Sequence, residues 1–305
     1  MANNFCNEKI TTEGWYAVCK SKEVKNGKSI ALFCGNQSLL IKRFKNGKIV
    51  AYERYCHHMG GDLLLAKEVD DTIQCNFHGL CYDTDGKCKQ TCSTTSLYNL
   101  KTFNATEKYG LVFIYLGESP KYSLPELHLN KGPILHFPSQ KLICHHHILI
   151  PNPLDSVHIM PVHSLETRNV AIEHQGVYIK VKCDGKYRSW WMAFLSRTYS
   201  KDIHFEFSSY GPSISVADAE WHGTRVVILF TAYQNENNKC VTNTAVYLDS
   251  YNPIDWIRSL IVIIGILRQD VKILNSLNVH TNFSKADKGM TLFKDVVDSM
   301  PVYIS

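Results

Sequence analysis

The stretch RYCHHMGGDLLLAKEVDDTIQCNFHGLCYD, Arg54 to Asp83, carries two cysteine–histidine loops. Cys56 and His58 form C-x-H; after sixteen residues, Cys75 and His78 form C-x-x-H. A structural zinc site groups cysteine with cysteine and histidine with histidine, as C-x₂₋₄-C then H-x₃₋₅-H. Here each loop offers one of each. That donor set suits two adjacent metals, each loop giving its thiolate to one and its imidazole to the other. A [2Fe–2S] cluster with thiolates on one iron and imidazoles on the other meets the description, and neutral imidazoles in place of thiolates raise its potential. Gly60, Gly61 and Gly79 follow the histidines, where tight loops pass close to a cluster. The spacing assigns the ligand to His58 and leaves His57 as a loop residue.

A second constellation lies in NPLDSVHIMPVH, Asn152 to His163. Asn152 before Pro153 reads as the N-cap of a helix over 152–161, with proline at its first position. Asp155 and His158 are i, i+3 and share a face. Pro161 is expected to end or kink the helix and swing His163 round. Two imidazoles want one carboxylate to complete a 2-His-1-carboxylate set, which leaves positions open for O₂ on Fe(II). Asp270, in RQDVKIL, is the candidate. On a helix over 253–278, Ile263, Ile266, Leu267, Leu274 and Leu277 recur at spacings of three, four and seven from it. Its carboxylate therefore lies with the apolar face, where it needs a partner or a metal. An ion pair with Arg258 or Arg225 is the structural alternative, and Asp249 and Asp255 are rival carboxylates.

Other residues of the same types have plainer readings. His145, His146 and His147 are expected at sheet positions, where neighbours alternate faces and do not share a metal, with one of them lining a pocket. Trp190 and Trp191 read as core. Cys81, Cys88 and Cys92 read as unligated thiols.

These residues need a scaffold. The 305 residues suffice for one large or two modest domains with real cores. The first third is β-rich: GWYAVC, SIALFC, SLLIKRF and KIVAYERYC are separated by Asn26-Gly27 and Asn46-Gly47, strong hairpin signals. YGLVFIYLG closes this part, and SPKYSLPEL, with Pro120 and Pro125, reads as a linker. Domains over 1–120 and 121–305 follow. The second part alternates further strands, VYIKVKC, WWMAFL, HFEFSSY, SISVADAEW, RVVILFTAY and TNTAVYL, with the two helices above. The fold class is α+β, with helices set against an antiparallel sheet.

The net charge of +5 is too mild for nucleic acid and suits an acidic protein partner. Eleven cysteines, an odd number, and no apolar leader in MANNFCNEKITTEGW argue for thiols and metal ligands rather than a disulfide framework. The longest apolar run, LIVIIGIL, falls far short of the roughly 20 residues of a membrane span, so a cytoplasmic protein without an integral span is expected. No G-x-G-x-x-G follows a strand, so no nicotinamide site is read.

Together these motifs resemble the large (α) subunit of the Rieske non-haem iron oxygenases, in the form found in the monooxygenase and demethylase branch. The likeness runs over nearly the whole chain, from GWYAVCKSKEVKNGK through both metal motifs to RQDVKIL. It implies an N-terminal Rieske [2Fe–2S] β-domain followed by a helix-grip catalytic domain with mononuclear Fe(II) on His158, His163 and Asp270. It implies a homotrimer in which the cluster of one subunit serves the iron of the next. Asp155 would then bridge a neighbour's His78 to His158, and Asn152 would lie near the iron. O₂ is the co-substrate. Electrons come from a ferredoxin and/or flavin reductase, with NAD(P)H acting only through that separate protein. The implied reaction is hydroxylation or oxidative demethylation of a small organic substrate, natural products included. A ring-dihydroxylating dioxygenase and an electron carrier without catalytic iron are the alternatives. Departures cluster around the [2Fe–2S] loops: His57 and Met59 stand where the family has proline and arginine, and Leu80 where it has tryptophan.

Overall fold

In the computed structural model, residues 4–89, 98–130, 132–188, 203–221, 224–280, 282–284 and 286–304 are described. The first sheet has six antiparallel strands: β1 (Gly14–Lys20), β2 (Ser29–Cys34), β3 (Gln37–Arg43), β4 (Ile49–Glu53), β8 (Thr102–Lys108) and β9 (Leu111–Leu116), in the order β1-β9-β8-β4-β3-β2. Between β4 and β8 the chain makes a small three-stranded sheet, β5 (Lys67–Val69), β6 (Thr72–Gln74) and β7 (Cys81–Tyr82). The apolar runs expected as strands are β1 to β4 and β9. The Asn-Gly signals become turns, with Gly27 and Gly47 at positive φ of 73° and 91°.

The second sheet holds eight strands: β10 (Ile134–His136), β11 (Gln140–Leu142), β12 (Leu165–Gln175), β13 (Tyr178–Tyr187), β14 (Ile203–Tyr210), β15 (Ile214–Trp221), β16 (Thr224–Gln234) and β17 (Cys240–Leu248). Strands β12 to β17 form an antiparallel meander, and β10 and β11 both pair with β17. Among the described residues four α-helices accompany it: α1 (His146–Leu149), α2 (Ser156–His163), α3 (Pro253–Leu274) and α4 (Lys288–Ser299). α3 lays Ile263 and Leu267 against Phe205, Val226, Val246 and Leu248 of the sheet. α4 buries Phe293, Val296 and Val297 with Ile179, Val181 and Leu154. The antiparallel sheet gripped by helices is the expected α+β architecture.

The two sheets share a core. Trp15, Phe113 and Tyr115 of β1 and β9 pack with Val216, Leu229 and Tyr247 of the large sheet. Asn243 Nδ2 donates to the Ala17 carbonyl at 3.0 Å, and the Tyr233 hydroxyl to that of Val18 at 3.2 Å. Both ends of the chain cross between the sheets. Phe5 belongs to the core under α4, and Tyr303 to the core of the first sheet.

Four sequence expectations differ from the structure. The helix expected over 152–161 begins at Ser156 and runs to His163. Its N-cap is Asp155, whose carboxylate accepts from the Val157 N–H at 3.0 Å; Asn152 instead opens a separate turn of 3₁₀ helix. An Asp with extended backbone caps as well as an Asn, so spacing alone did not separate the two. Pro161 does not end this helix, because at the sixth of eight residues it forfeits a single backbone bond. The long helix ends at Leu274 rather than 278. His145 to His147 form no strand: His145 caps α1, accepting from the His147 N–H at 3.1 Å, and the other two lie in the first turn. Trp190, Trp191 and Cys92 lie outside the described residues.

Candidate functional site

The two cysteine–histidine loops are twins in backbone geometry. In the first, the Cys56 N–H donates to Gly61 O and the Gly60 N–H returns to Cys56 O, both at 2.9 Å. In the second, the Cys75 N–H donates to Leu80 O at 2.8 Å and the Gly79 N–H returns to Cys75 O at 2.9 Å. Each turn closes on a glycine at the same place, Gly60 with φ 70° and Gly79 with φ 74°, a conformation that side-chain-bearing residues adopt at a cost. The loops hang from β4 and from the β6–β7 hairpin, so the small sheet brings them face to face.

Cys56 and Cys75 are buried and in contact. Burial first, then the neighbouring Cys56 sulfur, pushes the Cys75 thiol up, while the Phe77 and His78 N–H groups aimed at the sulfur pull it down. A Tyr82 hydroxyl with no solvent exposure lies 2.9 Å from Cys56 Sγ. A Cβ at Gly61 would come within 2.9 Å of Cys75 Sγ, so glycine there leaves room beside the sulfur. The His58 and His78 rings meet edge to face with centroids 4.5 Å apart, and His58 Nδ1 is buried without a hydrogen-bond partner. Two thiols and two imidazoles thus converge, and an unpartnered lone pair is the form in which imidazole meets a metal. His57 turns away, its Nε2 lying 2.7 Å from Glu53 Oε1.

The second constellation joins α2 to α3. The ligating atoms of His158, His163 and Asp270 all lie within 4.8 Å of one another. Nε2 of His163 is 3.0 Å from Asp270 Oδ1, and Nε2 of His158 is 4.0 Å from the same oxygen. The opposite ring nitrogens face outward. His163 Nδ1 lies 3.0 Å from Gln269 Oε1, an acceptor that holds the proton on Nδ1 and frees Nε2 for a metal. His158 Nδ1 faces Asp155 Oδ2 at 3.6 Å, a charge contact rather than a full hydrogen bond. Burial raises the Asp155 carboxyl, but the His158 ring together with the Val157 and His158 N–H groups outweighs it, and the net shift is downward. Burial lowers His163, but Asp270 outweighs it and the net shift is upward. The left-handed backbone of Ser164 (φ 55°) ends α2 directly after His163. The rival carboxylates are engaged elsewhere, Asp249 accepting from Asn130 and Tyr247 and Asp255 from Ser250, and Arg225, weighed as an ion-pair partner of Asp270, pairs instead with Asp218.

Gln269 escaped the sequence reading. It sits on the exposed side of α3, and its one signal is adjacency to Asp270.

His145, His146 and His147 also come within 4.8 Å of one another, but their wiring is opposite. The Cys6 N–H donates to His147 Nδ1 at 3.0 Å, and the His147 N–H to His145 Nδ1 at 3.1 Å. Backbone donors on Nδ1 make the neutral rings of His145 and His147 keep their proton on Nε2. Burial holds the rings neutral, pushing His145 down to about 4. The three pack as stacked and tilted rings with centroids 4.2 to 4.5 Å apart. None lines the cavity at the α2–α3 site; His146 instead borders a small hollow beside Tyr16 and Gln234. Cys81 and Cys88 are free thiols.

A cavity opens at the α2–α3 site in two lobes. One, about 100 Å³, is walled by Phe205, Phe207, Ile228 and Ile263 and reaches His158, His163 and Asp270. The other, about 380 Å³, shares Asn152, Phe230 and Asp270 with it. A third hollow lies outside α2, against Asp155 and His158.

Comparison with known proteins follows the same division. The model of the Rieske [2Fe-2S] domain matches residues 14–104. The chain is 31% identical over 153 residues to the chloroplastic chlorophyllide a oxygenase of Oryza sativa subsp. japonica, covering 49% of this chain and 28% of that one. It is 27% identical to aminopyrrolnitrin oxygenase PrnD of Pseudomonas fluorescens, covering 50% of this chain and 46% of that one. The chain thus spans less than half the length of these curated relatives. The crystal structure of apo dicamba monooxygenase superposes with a TM-score of 0.72 at 14% identity, over 95% of this chain and 97% of that one. The chain therefore carries a Rieske [2Fe–2S] domain over residues 14–104, and its fold is that of dicamba monooxygenase.

Two outcomes are expected. In reduced protein, His57→Ala keeps the low-temperature EPR signal of a [2Fe–2S] cluster with two imidazole ligands and His58→Ala loses it; the reverse pattern contradicts the assignment. The second concerns pH. A metal on His163 must displace its proton. Since Asp270 raises this imidazole above the usual 6.5, iron retention falls as pH drops through near-neutral values, by roughly tenfold in affinity per pH unit. Without metal the sign inverts: the protonated His163–Asp270 pair stabilises the fold at low pH and is lost as pH rises through the raised value. Iron content after dialysis at a series of pH values checks this, and a flat profile contradicts it.

Proposed function

We propose that this chain, a member of the Rieske non-haem iron oxygenases, uses O₂ and externally supplied electrons to hydroxylate or oxidatively demethylate a small organic substrate. The observation that carries the reading is the convergence of His158, His163 and Asp270 at a cavity, on a chain that also presents the twin cysteine–histidine loops. Oxygenases are also what the similar proteins are called.

In this reading Cys56 and Cys75 hold one iron of the cluster, and His58 and His78 the other. His158, His163 and Asp270 would hold the mononuclear Fe(II). When bound, the cluster supplies single electrons and the iron activates O₂ for attack on a C–H bond. The chain's own groups do the rest. Gln269 fixes the His163 tautomer, Asp155 orients His158, and the apolar lobe keeps water from the reacting carbon. Asn152, at the meeting of the lobes, positions the substrate.

Asp155 would couple the two metal sites. One carboxylate has oxygens enough to face His158 on one side and His78 of a neighbouring copy on the other. A ring of three copies would join these faces. Apolar groups exposed around the cluster, Met59, Leu65 and Phe77, and along α3, Ile254, Ile257 and Ile261, support such packing. A ferredoxin and/or flavin reductase would supply the electrons, the former an acidic partner for a chain of net charge +5. Among the described residues no helix is long and apolar enough to cross a membrane, and we place the reaction in the cytoplasm.

Asp155→Asn tests this coupling. It keeps shape but removes charge and one acceptor. Iron content and the cluster spectrum should stay near normal while product formation falls by about two orders of magnitude or more, the effect of losing the alignment of two centres. Single-turnover reoxidation of the pre-reduced cluster, with substrate and O₂ present, is the decisive reading. Wild-type reoxidation in Asp155→Asn would remove the bridge from the scheme.

A further inference from the structure

The two lobes of the cavity have unlike walls. Around the small lobe the lining is almost wholly aliphatic and aromatic, apart from the candidate iron ligands and Asn152. The larger lobe carries Gln140, Thr242 and Thr244 from the sheet, and Arg268 and Lys272 from α3. Thr242 and Thr244 are alternate residues of β17, so their side chains share a face. Arg268 and Lys272 are i, i+4 neighbours on one stripe of the helix, an arrangement in which like charges repel. Among the described residues neither makes an ion pair. The one carboxylate lining this lobe, Asp270, is turned toward His163. The end of a helix accounts for a cation in its last turn, and so for Lys272; it does not account for Arg268, a turn earlier. Two cations without counterions and a set of neutral hydrogen-bonding groups thus border one lobe of a cavity whose other lobe is apolar.

We propose that the larger lobe binds an anionic group, a carboxylate, on a substrate whose apolar body fills the small lobe. Arg268 presents a planar fork to the carboxylate oxygens and Lys272 adds a point charge. The Thr244 hydroxyl and the Gln140 amide complete the donors. The apolar body then lies against Phe205, Phe207, Ile228 and Ile263, beside the candidate iron ligands. That the ligand is a substrate rests on the oxygenase reading; that an apolar anion binds here does not.

The test compares 2-naphthoate with 2-naphthamide, which share an apolar body and differ in charge. Isothermal titration calorimetry on the full chain carrying its metals should show the acid binding about tenfold or more tighter than the amide, the range of a charge-assisted pair. Arg268→Gln and Lys272→Gln should each weaken the acid several-fold and together abolish the preference, leaving the amide unchanged. A carboxylate could instead bind the mononuclear iron, so the titration is repeated on protein freed of that iron with a chelator. Persistence of the preference assigns it to Arg268 and Lys272, and its loss overturns the proposal. Equal binding of acid and amide, no binding of the acid, or an acid affinity untouched by the double substitution overturns it as well. Binding is read without turnover, so a chain that fails to oxidise any substrate could still pass, and the two readings fail separately.

Discussion

One carboxylate organises the large-sheet half of this protein. Asp270 sits on the inner side of α3 with its side chain 15% exposed, where an unpaired charge is costly. The groups that answer it, His158 and His163, come from a different helix more than 100 residues away in sequence. The long helix, the short helix and the floor of the cavity are thereby tied at one point. Replacing Asp270 takes from His163 the carboxylate 3.0 Å from its Nε2 and from His158 the one at 4.0 Å, leaving two partly buried ring nitrogens without that partner.

The rest of the fold holds the two helices to that register. Asn252 caps α3 by accepting from the Ile254 N–H at 3.0 Å, and the aliphatic stripe of α3 lies on the curved sheet. α2 is fixed at its start by Asp155 and at its end by Ser164. Beneath the turn before α2, Gly289 of α4 packs so closely that a Cβ would collide with the Leu154 carbonyl. The [2Fe–2S] half uses another device, the same five-residue turn built twice, with sulfur inside and imidazole at the rim. The shared core of Trp15, Phe113, Tyr115 and Tyr247 fixes one half against the other.

Much of this was legible because metal sites demand donors at fixed spacing. The C-x-H and C-x-x-H loops, and the exclusion of His57, needed no tertiary information. Asp270 was visible as a polar break in an apolar helical stripe. What failed was local. Whether Asn152 or Asp155 caps a helix is a small difference in energy that tertiary packing decides. Edge strand β12, LETRNVAIEHQ, is largely exposed and carries too little apolar alternation to announce itself. The His145–His147 run looked like sheet because its surroundings are apolar, yet it opens a helix, where consecutive side chains can converge. Hydrogen-bond sense distinguishes the two clusters: backbone donors on Nδ1 of His145 and His147 in one, carboxylate and amide acceptors behind His158 and His163 in the other.

The central claim is that one chain holds two different iron centres, with Asp270 completing the second. Iron and acid-labile sulfide measured together on anaerobically reconstituted protein test it most directly. The account predicts about three irons for about two sulfides per chain in the wild type, and about two for two in Asp270→Ala, with the cluster's spectrum unchanged. A wild-type ratio of about two to two, or an Asp270→Ala protein that keeps the third iron, would contradict it.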